Sequence, residues 1–178
     1  MIVRLVGSEM CIRDRYWSRD KTLSSNQRAL IHRSVSDSMN WSTPDLCDAH
    51  SDELRVAAPI FRDFGGEPKF AGSAETIKCF EDNSLVAELV DTEGQGRVLV
   101  VDGGGSMRCG LFGDNLAMKA IDHGWSGVVV FGCIRDADIM GTLPIGVKAL
   151  GVHPLKSVKQ GVGAQSVPLR FALSLIHI

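Results

Sequence analysis

The sequence predicts an α/β domain in which helices pack on a sheet. Three observations carry that reading. RVLVV (97–101) and GVVVF (127–131) are unbroken apolar runs of the length of a fully buried strand. LAMKAID (116–122) lies between them, helical in pattern, with Gly124 placed to close it. Polar residues gather in the loops that follow the strands, so strand, helix and strand alternate through the centre of the chain.

The elements follow in order. Ser42-Thr43-Pro44-Asp45 reads as a helix start, with Ser42 or Thr43 as cap and Pro44 at the first helical position. Leu54 to Pro59 is a short apolar stretch, and Phe61 to Gly66 turns. Phe70 to Cys79 reads as a strand. SLVAELV (84–90) reads as a helix capped by Asn83 or Ser84. The RVLVV strand exits at Asp102-Gly103-Gly104-Gly105. The 116–122 helix and the GVVVF strand come next, and Val147 to Leu150 is a further strand.

Composition narrows the function classes. The chain has 178 residues with 19 Lys and Arg against 21 Asp and Glu, a formal net charge of −2. That balance argues against a surface built to neutralise nucleic-acid phosphates. A single Tyr and 6% aromatics are thin for base stacking. No run approaches the roughly 20 apolar residues of a membrane span. The five cysteines (Cys11, Cys47, Cys79, Cys109, Cys133) form no CxxC pair, which reads as reduced thiols and a cytoplasmic location.

The charge is uneven. Residues 1–38 carry a net +3 and residues 39–178 a net −5. Residues 7–15 (GSEMCIRDR) and 172–178 (ALSLIHI) resemble translated sequencing-adapter DNA. The expectation is therefore a non-native or disordered leader over 1–38, with a short helix around Asn26–Ile31. One domain then spans 39–171 from Met39, truncated at its C-terminus, and an adapter-like tail covers 172–178.

Two segments can carry chemistry. Gly113-Asp114-Asn115-Leu116 opens a helix, where free backbone N–H groups can hold a carboxylate or phosphate. A plain N-cap by Asp114 is the other reading. Gly132-Cys133-Ile134-Arg135-Asp136 follows the GVVVF strand, at the sheet edge where α/β folds bind ligands. Arg135 offers a planar fork for a carboxylate or a developing enolate. Asp136 is a hard oxygen ligand suited to Mg²⁺ or Mn²⁺. The pair also reads as an exposed ion pair. The two segments lie 22 residues apart, across one helix and one strand, a spacing that can bring them to one edge.

Other motifs fall away. His50, His123 and His153 lack metal-ligand spacing, and His123 suits a helix C-terminus. The GGGS run is neither a dinucleotide fingerprint nor a P-loop, and no G-x-S-x-G is present. Asp102 at a strand end reads as a site residue or as a turn cap.

Taken together, PDLCDAH (44–50), FGG (64–66), IKCFEDN (77–83), GRVLVVDGGGSMR (96–108), GDNLAMKA (113–120), GWSGVVVFGCIRD (124–136) and IGVKALGVHP (145–154) resemble the regulator of ribonuclease activity A (RraA) family. That family overlaps the class II, metal-dependent 4-hydroxy-4-methyl-2-oxoglutarate aldolases. The likeness covers 41–171. It implies a swivelling β/β/α domain in a homotrimer with sites at subunit interfaces.

It also implies roles. Gly113, Asp114, Asn115 and Leu116 match a loop whose backbone holds a small 2-oxo acid substrate. Arg135 matches the arginine on the substrate's keto and enolate side. Asp136 matches the ligand of a divalent cation, Mg²⁺ or Mn²⁺, and Asp114 an acid that orders its water. The implied reaction is cleavage of 4-hydroxy-4-methyl-2-oxoglutarate to two pyruvates, with oxaloacetate decarboxylation at the same site. The alternative is restraint of a ribonuclease E-type endonuclease by protein contact. Regulators without catalysis can lack the aspartate of the Arg-Asp pair; this chain keeps it, which points to an enzyme. Relatives can bring a C-terminal acidic residue from an adjacent subunit near the metal, and nothing after Arg170 supplies one here.

Overall fold

In the computed structural model, residues 2–6, 9–13, 42–52, 54–171 and 174–176 are described. The expected helix around Asn26–Ile31, most of the leader and the Met39 start lie outside them. The N-terminal strands β1 (Ile2–Val6) and β2 (Glu9–Arg13) pair antiparallel.

Helix α1 (Thr43–His50) starts as the sequence indicates. Ser42 is the cap, its hydroxyl accepts the Asp45 N–H at 3.2 Å, and Pro44 sits in the first turn. Strands β3 (Leu54–Val56) and β4 (Arg62–Asp63) are short. The long strand β5 (Lys69–Lys78) covers the expected 70–79 run except for Cys79, with inward and outward residues alternating over most of its length. Helix α2 (Ser84–Val90) follows, then β6 (Val98–Asp102), β7 (Gly110–Phe112), α3 (Asp114–Asp122), β8 (Gly127–Ile134), α4 (Ala137–Met140) and β9 (Gly146–Val152). Short strands β10 (Ala164–Gln165), β11 (Leu169–Phe171) and β12 (Ser174–Ile176) come last.

Among the described residues the main sheet runs β3-β2-β1-β5-β6-β8-β9-β4, with β10 added to β5 and β7 to β8. Its centre, β5-β6-β8-β9, is parallel. That is why VLVVD and GVVV read as apolar without alternation: both faces are covered. On one face Leu99, Val101, Val128 and Val130 meet Val86 and Val90 of α2, Ala117 and Ala120 of α3, and Met140 of α4. On the other, Val98, Val100 and Val129 meet Phe61, Phe70, Ala57 and Leu169. Helices therefore form one layer and strand and loop segments cover the opposite side. This is the β/β/α arrangement.

Three local expectations are corrected. The GVVVF strand does not stop at Phe131; it continues through Gly132, Cys133 and Ile134, because β9 and β7 keep pairing with it past a register shift. Only Arg135 and Asp136 stand beyond its end. The cap of α3 is Gly113, not Asp114, which is already helical. Neither Asn83 nor Ser84 caps α2 with its side chain; the buried Asp82 carboxylate instead accepts the Ser84 N–H at 2.8 Å and its hydroxyl at 2.6 Å.

The second oxygen of Asp82 accepts the N–H groups of Gln160 and Val162, both at 2.9 Å. Burial alone would raise its pKa, but the hydrogen bonds from Ser84, Val162 and Gln160 outweigh it and hold the carboxyl well below its usual 3.8. A depressed folded pKa stabilises the native state fully above the unfolded value. That contribution is lost as pH falls from about 3.8 through the lower folded value. Asp82→Ala is expected to cost about 3 kcal/mol, since it strands four backbone and hydroxyl donors, those of Ser84 buried. Urea denaturation at neutral pH checks the loss. Equal stability of mutant and wild type would disprove it.

Candidate active site

Strand β8 delivers Arg135 and Asp136 at its C-terminal end, and α3 begins beside them. The Arg135 N–H donates to the Phe112 carbonyl at 2.9 Å, which ties the end of β8 to the turn into α3. Gly113 lets the two side chains approach closely: a Cβ on it would meet Asp136 Oδ2 at 2.9 Å and Arg135 Cγ at 3.0 Å, so both would have to shift. Asp136 has φ 56 and ψ 40, the left-handed region that an aspartate tolerates better than most residues. That backbone turns its carboxylate back along Arg135. Arg135 Nε donates to Asp136 Oδ2 at 2.9 Å and a second guanidinium N–H reaches Oδ1 at 3.4 Å. Both side chains are about one-third exposed.

At the start of α3, Asp114 Oδ1 accepts the Asn115 N–H at 2.7 Å. The Leu116 and Ala117 N–H groups donate to the Gly113 carbonyl. An anionic oxygen thus already rests on the helix N-terminus, the electrostatically favoured position.

All six residues singled out from the sequence line one cleft of about 310 Å³: Gly113, Asp114, Asn115, Leu116, Arg135 and Asp136. Three more line it that sequence reasoning missed: Asn83, Gly110 and Lys156. Asn83 sits in the FEDN segment already noted for family likeness, the one sequence signal that could have flagged it. Gly110 and Lys156 reach the cleft through tertiary pairing alone.

The remaining candidates take structural roles. Asp102 accepts the Gly104 N–H at 3.0 Å and caps the turn. His123 ends α3 with Nδ1 against the Lys119 carbonyl at 2.9 Å, and His153 Nδ1 accepts the Leu155 N–H. Cys79, Cys109 and Cys133 are buried and free. Burial, with Asp82, Asp102 and Cys109 nearby, pushes the Cys79 thiol up to about 12, far from a reactive thiolate.

The lining fits a hard cation. It offers the carboxylates of Asp114 and Asp136 and no thiol or imidazole. Mg²⁺-type ions take one or two carboxylates and keep water on their other positions. Among the described residues no cluster of three His, Cys, Asp or Glu forms a closed protein cage. No helix among them is long and apolar enough to cross a membrane.

Comparison with known proteins agrees with the fold. The RraA-like family model, described as Aldolase/RraA, matches residues 43–177. A protein of Alkalilimnicola ehrlichii with the provisional name 4-hydroxy-4-methyl-2-oxoglutarate aldolase is 59% identical over 134 residues, covering 75% of this chain and 83% of that one. The solved structure of the RNA-processing inhibitor RraA from Thermus thermophilis is similar at TM-score 0.75 and 44% identity, over 78% of this chain and 84% of that one. A Geobacillus kaustophilus structure named S-adenosylmethionine:2-dimethylmenaquinone methyltransferase matches at TM-score 0.76 and 47% identity, over 77% and 85%.

Proposed function

This chain belongs to the RraA-like family, and from that membership and the cleft around Arg135 and Asp136 we propose that it is a divalent-metal-dependent lyase cleaving 4-hydroxy-4-methyl-2-oxoglutarate to two pyruvates. The observation that carries this reading is the convergence of Arg135, Asp136 and the N-terminus of α3 on one cleft. The 55% identity of an Azotobacter vinelandii protein bearing the same provisional aldolase name supports it.

Asp136 would hold the cation, Mg²⁺ or Mn²⁺, with Asp114 as the second carboxylate of the cleft. The cation supplies Lewis-acid polarisation of the 2-oxo group. The substrate's C1 carboxylate takes the place of the Asp114 carboxylate at the start of α3, so one anion on the helix N-terminus is exchanged for another. A water accepts the C4 hydroxyl proton. The C3–C4 bond then breaks, its electrons pass to C3 and the C2 oxygen, and the first pyruvate leaves. Arg135 stabilises the negative oxygen of the remaining enolate. Protonation at C3 gives the second pyruvate. Loss of CO₂ from oxaloacetate passes through the same enolate, so decarboxylation belongs to the same site. A homotrimer is the proposed assembly.

The test is pyruvate release from 4-hydroxy-4-methyl-2-oxoglutarate and oxaloacetate with Mg²⁺ and with EDTA. Mg²⁺-dependent release from both is expected. Absence of turnover, together with metal-independent restraint of a ribonuclease E-type endonuclease, would overturn the reading. It would favour the regulator function that the 44% identity to the Thermus thermophilis inhibitor suggests.

A further inference from the structure

The side chain that faces the enolate is long and rich in rotamers, so something must aim it. About a third of the Arg135 side chain is exposed. Its carbons nevertheless run along a groove made by two glycines. A Cβ on Gly110 would meet Arg135 Cβ at 3.0 Å and Cγ at 3.1 Å. A Cβ on Gly113 would meet Cγ at 3.0 Å and Cδ at 3.4 Å. Successive carbons of the arginine stem therefore lie against the bare backbone of Gly110-Leu111-Phe112-Gly113. Past Cδ the guanidinium reaches its partner, and Nε donates to Asp136 Oδ2 at 2.9 Å.

Both walls of the groove are fixed. Leu111 and Phe112, between the two glycines, are fully buried in the core beneath the helices. The Gly110 N–H donates to the Leu155 carbonyl at 2.7 Å, within an isolated parallel bridge from Gly110 to Lys156. On the arginine side, the Arg135 N–H donates to the Phe112 carbonyl and the His153 N–H to the Ile134 carbonyl, both at 2.9 Å. A methyl group at position 110 would thus press on the arginine stem, and on the Ile134 carbonyl carbon at 3.2 Å, with little backbone freedom to relieve it. The backbone itself does not demand glycine here. Gly110 is not among the residues at positive φ, so alanine could adopt its conformation. A glycine replaced by alanine at such a position normally stabilises a protein, because the unfolded chain has fewer states to lose. What the missing Cβ provides at Gly110 is room for Arg135.

We infer that Gly110 is a positioning residue for the reaction: with Gly113 it lays the Arg135 stem flat, so that the guanidinium meets the developing enolate oxygen without a search through rotamers. This rests on the aldolase reading for its chemistry. A side chain ordered before the reaction loses less freedom at the transition state, and small misplacements of such a group cost rate steeply.

Gly110→Ala tests it. The added methyl shifts the stem near its root, and the displacement grows along the side chain. The kcat for Mg²⁺-dependent pyruvate release should fall about tenfold while KM changes by less than about twofold, because the contact tightens as charge develops. Thermal melting should match or exceed the wild-type value. Nitrogen-15 relaxation supplies a readout that needs no turnover. The Arg135 Nε–H resonance, assigned by its loss in Arg135→Lys, should be motionally restricted in the wild-type protein and mobile in Gly110→Ala. An unchanged kcat, or an Nε–H as restricted in Gly110→Ala as in the wild type, would overturn the inference. So would a variant that melts well below the wild type, since the strands and not the side chain would then have yielded. Loss of the restriction in Gly110→Ala, with no lyase turnover in the wild-type protein, would sink the aldolase reading and leave the positioning of Arg135 standing.

Discussion

Asp136→Asn is expected to lower kcat/KM for Mg²⁺-dependent pyruvate release by roughly 100- to 1000-fold, the range for loss of one preorganised charged group at a reacting centre. Asparagine is the informative replacement. The residue sits at φ 56, where asparagine is tolerated and alanine pays a backbone penalty of about 1 kcal/mol. The amide also keeps an acceptor for Arg135, so the loop conformation is preserved while the negative charge is lost. Circular dichroism and thermal melting should match the wild-type protein. Undiminished Mg²⁺-dependent activity in a folded Asp136→Asn protein would remove Asp136 from the metal site.

Asp63→Ala is expected to lower stability by about 3 kcal/mol, which for a domain of this size lowers Tm by roughly 10 °C. Lys148 is fully buried in β9, and its ammonium pairs with Asp63 directly across the β4–β9 ladder. Removing the carboxylate leaves a buried cation without its partner, the costly half of breaking such a pair. The effect is a property of the pair and not of the aspartate alone. Lys148→Met in the Asp63→Ala background should therefore restore most of the loss, since an apolar chain of similar length fills the same space. A melting curve for Asp63→Ala that overlays the wild type, or a double mutant no better than the single, would refute this account.

What the sequence made legible was whatever announces itself within a short window. β6, α3 and the first half of β8 are long, apolar or periodic. Their neighbours escaped for the opposite reason. β7 and α4 are three and four residues long, too short to show a period. Gly132 looked like the end of a strand, but the parallel partners on either side carry β8 through it. The burial of Lys148 was illegible because its partner lies 85 residues earlier. Within the cleft the same division holds. The Gly113–Leu116 and Arg135–Asp136 segments were found because helix starts and strand ends have known chemistry. Gly110 and Lys156 were not, because an isolated bridge from a three-residue strand to a loop leaves no mark on local sequence.

The bridge between Gly110 and Lys156 has a consequence for chain entropy. Bringing Arg135 to Gly113 closes a loop of 22 residues, whereas bringing Lys156 to Asn83 closes one of 73. By the logarithmic scaling of loop closure the longer ring costs the unfolded chain about 1 kcal/mol more. The two ends of the cleft are thus unequally expensive to assemble. The Arg135 side comes from one short βαβ stretch, while the Lys156 side depends on a long-range closure secured by Gly110 and by the Asp82 carboxylate.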